Sequence, residues 1–318
     1  MTEAPVGSVL IGGPTASGKS ALAVALARAL GGAVVNADAS QVYADLAVLS
    51  ARPSVEDETV APHRLYGHVD GAEVYGVGRW LADATMVIKD LSGTAEPGPQ
   101  ERKAGRSTPI FVGGTGLYFE ALTTGLATVP EVPADVRARW RSAPPAELHG
   151  ALARLDPVMA ARLRPSDPQR LTRALEVIDG TGRSLAEWQR ETTPGPIPLA
   201  RALRIVLSPD RAVLDGRIAT RLERMMEQGG VDEAARLAAR GLSPSLPVMK
   251  AIGVAHFAAF AQGGISRAEA LERARLDTRR YAKRQSTWFR NRMADWIHVA
   301  SEAALDVAMQ EIERRGVG

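Results

Sequence analysis

Ser8-Val9-Leu10-Ile11-Gly12-Gly13-Pro14-Thr15-Ala16-Ser17-Gly18-Lys19-Ser20 passes from a short apolar run into a glycine-rich turn, and then into the helix-forming stretch Ala21 to Leu30. Counted from Gly13, the turn reads G-x-x-x-x-G-K-S. Its glycines permit a loop whose backbone N–H groups point inward, and the following helix adds a partially positive N-terminus. Such a loop, Gly13, Pro14, Thr15, Ala16, Ser17, Gly18, Lys19 and Ser20, holds a diphosphate on amides. Lys19 bridges phosphate oxygens and the Ser20 hydroxyl is placed for Mg²⁺. The motif identifies a diphosphate, not what it is attached to.

Outward from this loop, short β-branched runs recur between helix-like stretches at Ser8 to Ile11, Ala33 to Asn36, Pro109 to Val112 and Leu203 to Leu207. The rhythm predicts an α/β fold, with a P-loop NTPase-like core and a mostly parallel sheet flanked by helices. Between Thr123 and Leu199 no run reads as a strand. Short amphipathic helices separated by Pro-containing turns are expected there, making 123–199 an all-helical insertion in a core of 1–122 and 200–318. Ser184-x-x-Glu187 and Ser266-x-x-Glu269 read as capping boxes, the second opening a long helix to about Met293. Ser92 to Thr108, rich in Gly, Pro and charge, is expected to be an exposed loop.

The composition, 45% hydrophobic and 24% charged over 318 residues, is that of a well-packed globule. There is no apolar run of about 18 residues, and Met1 to Leu10 lacks the basic start of a secretory signal, so a cytoplasmic protein with no membrane segment is expected. The absence of cysteine excludes disulfides, thiolate metal sites and cysteine nucleophiles, and the 5 histidines are scattered. The net charge of +3 hides a division. Met1 to Val136 carries nine Lys/Arg against fifteen Asp/Glu, a net of −6, whereas Arg137 to Gly318 carries thirty against twenty-one, a net of +9. The basic half suggests a polyanionic partner.

A nucleotide hydrolase places a second acid at the end of an apolar strand, for Mg²⁺ and water. Pro109 to Val112 instead runs into Gly113-Gly114-Thr115-Gly116. The carboxylate that does follow a strand is Asp38, after Ala33 to Asn36, on the same sheet edge as the phosphate loop. Such an Asp serves as a metal ligand in a kinase, as a general base toward a second substrate, or simply as a helix cap. Thr115 lies beyond the third strand and opens toward the same crevice. Gln41 has an amide suited to a base edge.

Seven blocks then occur in order: the phosphate loop; Asn36-Ala37-Asp38-Ala39-Ser40-Gln41-Val42-Tyr43; Ala61-Pro62-His63; Val112-Gly113-Gly114-Thr115-Gly116-Leu117-Tyr118; Asp167-Pro168-Gln169-Arg170-Leu171-Thr172-Arg173-Ala174-Leu175-Glu176; Lys250-Ala251-Ile252-Gly253; and Tyr281-Ala282-Lys283-Arg284-Gln285-Ser286-Thr287-Trp288-Phe289-Arg290. Over nearly its full length the chain resembles the tRNA dimethylallyltransferase (tRNA isopentenyltransferase) family. The resemblance implies that the loop holds dimethylallyl diphosphate and that the acceptor is N6 of adenosine 37, just 3′ of the tRNA anticodon. Asp38 matches the family's base and Thr115 its hydrogen-bonding assistant. Arg217, or Arg221 one turn later, matches its second diphosphate-binding cation. The anticodon stem-loop would be held by Asp38, Ala39, Ser40, Gln41 and Thr115 near the base. Arg137, Gln169, Arg170, Leu171, Thr172 and Arg173 would hold it in the insertion, and Lys283 and Arg284 on the last long helix. That helix carries nine basic residues from Arg267 to Arg292 against three acidic ones, expected to meet RNA phosphates, with Trp288 and Phe289 in the core. A monomer needing Mg²⁺ is expected.

Two departures stand out. Ala39 replaces the Ser common after the family's Asp, and Val254 replaces an aromatic after Lys-Ala-Ile-Gly. A small-molecule kinase using ATP in the same loop is the competing reading of that motif alone, but it leaves the basic helix and the insertion unexplained.

Overall fold

The computed structural model describes residues 4–93 and 107–317, so most of the loop expected at Ser92 to Thr108 lies outside the described residues. The chain divides into two compact units, Met1–Ala121 with Ile197–Gly318, and Leu122–Pro196.

The first unit begins β1 (Ser8–Gly12), α1 (Lys19–Leu30), β2 (Ala33–Asn36), α2 (Val55–Val60), β3 (His63–Arg64), α3 (Val77–Leu91), β4 (Pro109–Gly113) and α4 (Gly116–Thr123), whose last turn enters the other unit. The second unit holds α5 (Ala134–Ser142), α6 (Pro145–Leu155), α7 (Pro157–Arg162), α8 (Pro168–Thr181) and α9 (Leu185–Arg190). The chain then returns through β5 (Ala202–Leu207), α10 (Arg211–Glu227), α11 (Gly230–Ala239), α12 (Val254–Ala261), α13 (Arg267–Arg292), β6 (Ile297–Val299) and α14 (Ala304–Arg315).

The six strands form one sheet in the order β3-β2-β4-β1-β5-β6, and every pairing is parallel. β1 and β4 are buried throughout, which is why they read as continuous apolar runs. Alternate residues serve the two faces. Val9, Ile11, Ile110 and Val112 join Leu22 and Leu26 of α1 and Ala308 and Ile312 of α14 in one core cluster. Phe111 points the other way and meets Trp80 of α3 edge-on at 6.3 Å. On that face Phe289 of α13 packs with Phe119 of α4. β3 and β6 leave no period in the sequence, because they are two and three residues long and only partly buried.

The strand order sets the carboxyl ends of β2, β4 and β1 side by side. Ala37 donates to the Val112 carbonyl at 2.8 Å, and Thr115 N–H donates back to Ala37 at 3.2 Å. A Cβ on Gly113 would stand 1.9 Å from the Ala37 carbonyl oxygen, so the loops after β2 and β4 meet only because this residue lacks a side chain.

In the second unit, Leu148 and Leu152 of α6, Met159 of α7, Leu171 and Leu175 of α8 and Ala186 of α9 form the core. Asp156 caps α7 by accepting from Met159 N–H at 3.0 Å, and receives the Ser184 hydroxyl at 2.6 Å. The box expected at Ser184 is not formed. Ser184 accepts from Ala186 N–H, and Glu187 pairs with Arg183. Ser266 does cap α13 through Glu269 N–H. A reciprocal box occurs instead at Ser54 and Asp57, where Asp stands in for the usual Glu or Gln.

Gly113→Ala should force β2 and β4 apart at their carboxyl ends, costing about 1–3 kcal/mol as an overpacking change. The thermal unfolding midpoint is expected to fall by about 3–10 °C, whereas an unchanged midpoint would show that the edge yields.

Candidate active site at the carboxyl edge of the sheet

The loop from Gly13 to Ser20 joins β1 to α1 and carries its backbone in a strained form, with Ala16 at φ 62° and Gly18 at φ 89°. Lys19 folds back to donate to the Pro14 carbonyl at 3.1 Å. Its pKa is lowered to about 8, first by desolvation and further by Arg221, while Asp38 opposes the fall. A desolvated ammonium facing a cationic neighbour is a group that gains from an arriving anion.

Asp38 is placed by hydrogen bonds from three directions. The Asn36 side chain accepts from Asp38 N–H at 2.8 Å and donates to the carbonyls of Asp38 and Leu65, both at 3.0 Å. Trp80 Nε1 holds the Asn36 carbonyl at 2.9 Å, and its ring stacks on Tyr118 with centroids 4.0 Å apart. Thr115 Oγ1 accepts from Ala39 N–H at 2.9 Å. Ser40 donates to Asp38 Oδ1 from its amide at 3.0 Å and from its hydroxyl at 2.7 Å. Oδ1 is thereby occupied, and no hydrogen bond to Oδ2 occurs among the described residues.

Helix α10 supplies the opposite wall with two adjacent stripes. Arg217, Arg221 and Arg224 recur at i, i+4 and i+7, and Ile218, Leu222 and Met225 follow the same spacing one residue on. The cationic stripe lines a cleft of about 910 Å³ that includes the phosphate loop from Ala16 to Ser20. The apolar stripe lines an adjoining cavity of about 290 Å³ that contains Lys19, Ser20 and Asp38. Arg221 and Met225 border both spaces. Arg221 Nη1 lies 3.4 Å from Thr15 Oγ1, and desolvation pushes its pKa down while Asp38 holds it up. One helix face thus offers charge beside hydrocarbon, at the mouth of an anion-binding loop and within the field of a carboxylate.

Comparison with known proteins agrees with this geometry. The IPP transferase family model matches residues 41–292, and the isopentenyl transferase model matches residues 7–71. The chain belongs to the IPP transferase family. It is 52% identical to the tRNA dimethylallyltransferase of Methylobacterium nodulans over 302 residues, covering 93% of this chain and 96% of the relative. It is 50% identical to that of Azorhizobium caulinodans, covering 94% of each. Among solved structures, the tRNA isopentenylpyrophosphate transferase of Bacillus halodurans superposes with a TM-score of 0.67 at 30% identity, covering 96% of both chains. A eukaryotic dimethylallyltransferase acting on tRNA shares the fold, with a TM-score of 0.80, 24% identity and coverage of 98% of this chain and 80% of its own.

The structure brings together Thr15 to Ser20, Asp38, Ala39, Ser40, Gln41 and Arg284 around the two adjoining spaces, whereas Gly13 and Pro14 line neither. Thr115 joins them through Ala39. Gln41 spends its amide nitrogen on the carbonyls of Ser50 and Ala51, at 3.0 and 2.8 Å, leaving its oxygen as the group available to a base. Arg217 lines the larger cleft but is tied to Ser301 and Glu302, at 3.3 and 3.2 Å. Arg221, the second choice from sequence, stands closer to the loop.

In the helical unit Gln169, Arg170 and Arg173 are exposed, with Arg170 paired to Asp167 at 3.3 Å and Arg173 to Glu176 at 3.5 Å. Arg137 pairs with Glu131, and Thr172 is half-buried. Leu171 is fully buried. Its side chain belongs to the unit's core, so it offers no side chain to a partner. Five of the nine basic residues of α13 form ion pairs. Arg273, Arg275 and Arg280 pair with acids on the same helix, Arg279 pairs with Asp215 and Arg292 with Glu120. The net of +6 already counts the three same-helix acids, so only the pairs to Asp215 and Glu120 draw on it, and about +4 of the surplus stays unpaired among the described residues. Lys283 and Arg284 form no ion pair among the described residues, and Arg284 lies over the Tyr281 ring. Phe289 is buried as expected, and Trp288 packs against Gly116. Val254 is buried as well, so the smaller residue still fills core.

Sequence reasoning assigned no role to Asn36, Trp80, Glu233 or Tyr281. Asn36 was legible only as a polar residue ending an apolar strand. Glu233 of α11 reaches across 185 positions to accept from Val48 N–H at 2.7 Å, bracing the loop that lines the larger cleft. Burial raises its pKa. Tyr281 lines the smaller cavity, and its pKa is raised by desolvation and by Asp38.

Because free Lys19 is charged below pH 8 and loses its proton above it, metal-free binding of inorganic diphosphate should weaken about tenfold from pH 7 to pH 9 by titration calorimetry. Lys19→Met should abolish that dependence, which separates it from ionisation of the ligand. Arg221→Ala should weaken binding more than Arg217→Ala. A reversed order would show that Arg217 leaves Glu302 to take the anion.

Proposed function

We propose that the protein transfers a dimethylallyl group from dimethylallyl diphosphate to N6 of adenosine 37 in tRNA, giving N6-isopentenyladenosine and diphosphate. The observation that carries this reading is that Lys19 and Ser20 of the anion loop share one small cavity with Asp38 and an apolar stripe. A diphosphate, a short hydrocarbon and a proton acceptor are provided for together. Names of relatives at about half identity support the same reading.

The diphosphate lies on the loop amides, Lys19 and Arg221, with Arg217 at the rim. The dimethylallyl chain lies along Ile218, Leu222 and Met225. The adenine amine is a poor nucleophile, because its lone pair is delocalised into the ring. As N6 forms its bond to C1 of the allyl group, Asp38 Oδ2 takes the N6 proton, and the C1–O bond breaks with its electron pair leaving on the diphosphate. Lys19 and the loop amides stabilise the charge growing on that leaving group. Thr115 acts at one remove, fixing Ala39 and so the orientation of Asp38.

Among the described residues there is no group of three His, Asp or Glu suited to hold a metal by itself. The exposed Ser20 hydroxyl beside the cradle suits Mg²⁺, which takes most of its ligands from phosphate oxygens and water. Ser20 would hold the ion, which supplies further neutralisation of the leaving group. The adenine reaches Asp38 only when it is taken out of the anticodon loop, a step suited to single-stranded loops. Ala39, Ser40, Gln41, Lys283 and Arg284 serve that acceptor, with Arg137, Gln169, Arg170, Thr172 and Arg173 holding the stem. No helix among the described residues is long and apolar enough to cross a membrane. We place the reaction in the cytoplasm, on a monomer.

Incubation with Mg²⁺, dimethylallyl diphosphate and unmodified tRNA bearing adenosines at positions 36 and 37 should yield N6-isopentenyladenosine in the digested RNA by mass spectrometry. Phosphate transfer from ATP to a metabolite without prenylation would overturn the reading. Asp38→Ala should lower turnover about 10²–10⁴-fold while inorganic diphosphate binding stays within about threefold, and near-normal turnover would remove Asp38 from the base role.

A further inference from the structure

Gln285 lies in the middle of α13, is 4% exposed, and is held at both ends of its amide. Its Oε1 accepts from Thr15 N–H at 2.9 Å, and its Nε2 donates to the Gly114 carbonyl at 2.9 Å. Thr15 belongs to the anion loop after β1. Gly114 belongs to the loop after β4, immediately before Thr115, which holds Ala39 beside Asp38. Bonded contacts therefore run from the cradle through Gln285, Gly114 and Thr115 to the loop of the base. The fit leaves no slack, since a Cβ on Gly114 would stand 1.9 Å from Gln285 Nε2. The helix that carries Gln285 is anchored along its length by Phe289 in the core and by the Arg279–Asp215 pair to α10 at 2.8 Å.

An amide is needed here because one neighbour is a donor and the other an acceptor. A carboxylate would face the Gly114 oxygen with a second acceptor, and a hydrocarbon would leave both backbone groups without these partners, the Gly114 carbonyl in a buried place.

We infer that Gln285 is a positioning residue that fixes the separation between the leaving diphosphate and the Asp38 carboxylate. The inference rests on the prenyl-transfer reading, since it is in that reaction that the two loops must flank one carbon. A shift of about 1 Å between reacting groups is enough to cost about 10²-fold in rate. Gln285 touches neither substrate, so its loss should appear in kcat and not in the affinity of either half-site.

The full-length Gln285→Met and Gln285→Glu variants test this. For Gln285→Met, kcat for tRNA prenylation should fall about 10²-fold. The Kd for inorganic diphosphate and the KM for tRNA should stay within about threefold, and the thermal midpoint should still report a folded protein. For Gln285→Glu, the loss should be largest at pH 8 and should shrink relative to wild type toward pH 6, because a protonated carboxyl restores one donor and one acceptor. Hydrogen exchange over residues 13–20 and 113–116 reads the clamp without any reaction, and Gln285→Met should speed it in both segments. Wild-type kcat in Gln285→Met, a pH-independent loss in Gln285→Glu, a parallel loss of kcat, diphosphate binding and folding, or unchanged exchange would each overturn the inference. If the wild type failed to prenylate while the exchange difference held, the clamp would stand and the reaction reading would fall.

Discussion

In a parallel sheet every strand delivers its carboxyl end to the same edge, and everything in this site follows from that shared direction. The order β2-β4-β1 puts three strand ends side by side. One becomes the anion loop, one carries Asp38, and the third supplies a glycine-rich turn narrow enough to fit between them. Nothing in β4's turn competes for metal or water, because Gly113 and Gly114 are shaped by close packing against Ala37 and Gln285. The same strand end that holds an acid in a hydrolase here serves to keep the cradle and the carboxylate close.

Charge is handled by the same economy. Lys19 is desolvated, with Arg221 opposing its charge and Asp38 supporting it. In the free protein Asp38 is therefore part of what keeps Lys19 cationic. In the proposed reaction that support passes to the diphosphate. Asp38 Oδ1 is held by Ser40. The two stripes of α10 extend the arrangement, because a helix that turns 100° per residue presents Arg221 and Leu222 to neighbouring spaces.

The core strands and the phosphate loop were legible because burial on both faces demands uninterrupted apolar runs and because the loop is a contiguous motif. Asp38 was legible by its place after β2, and family resemblance supplied its role. The edge strands β3 and β6 were not legible, being too short and too exposed to carry a period. The inward direction of Leu171 was not legible because it sits inside a polar block, where only the helical face, known once α8 packs on α6, reveals it. Two of the six surplus charges of α13 have partners that the sequence could not indicate, because Asp215 and Glu120 come from distant segments. Gln285 was quoted in a motif yet assigned nothing, since its partners are 270 and 171 positions away. Contacts of that range are set by packing and leave no local trace.

The central claim is that one cavity holds the leaving diphosphate and the adenine amine on either side of a single carbon, with Asp38 Oδ2 as the base. The most direct measurement is a crystal structure of the protein with an unreactive thiodiphosphate analogue of the prenyl donor and an anticodon stem-loop. The predicted result has the flipped adenine N6 within about 2.6–3.2 Å of Asp38 Oδ2, the analogue's phosphates on the Gly18 to Ser20 amides and Lys19, and its hydrocarbon against Leu222 and Met225. An adenine amine held by another group, or a donor whose phosphates lie away from Lys19, would contradict it.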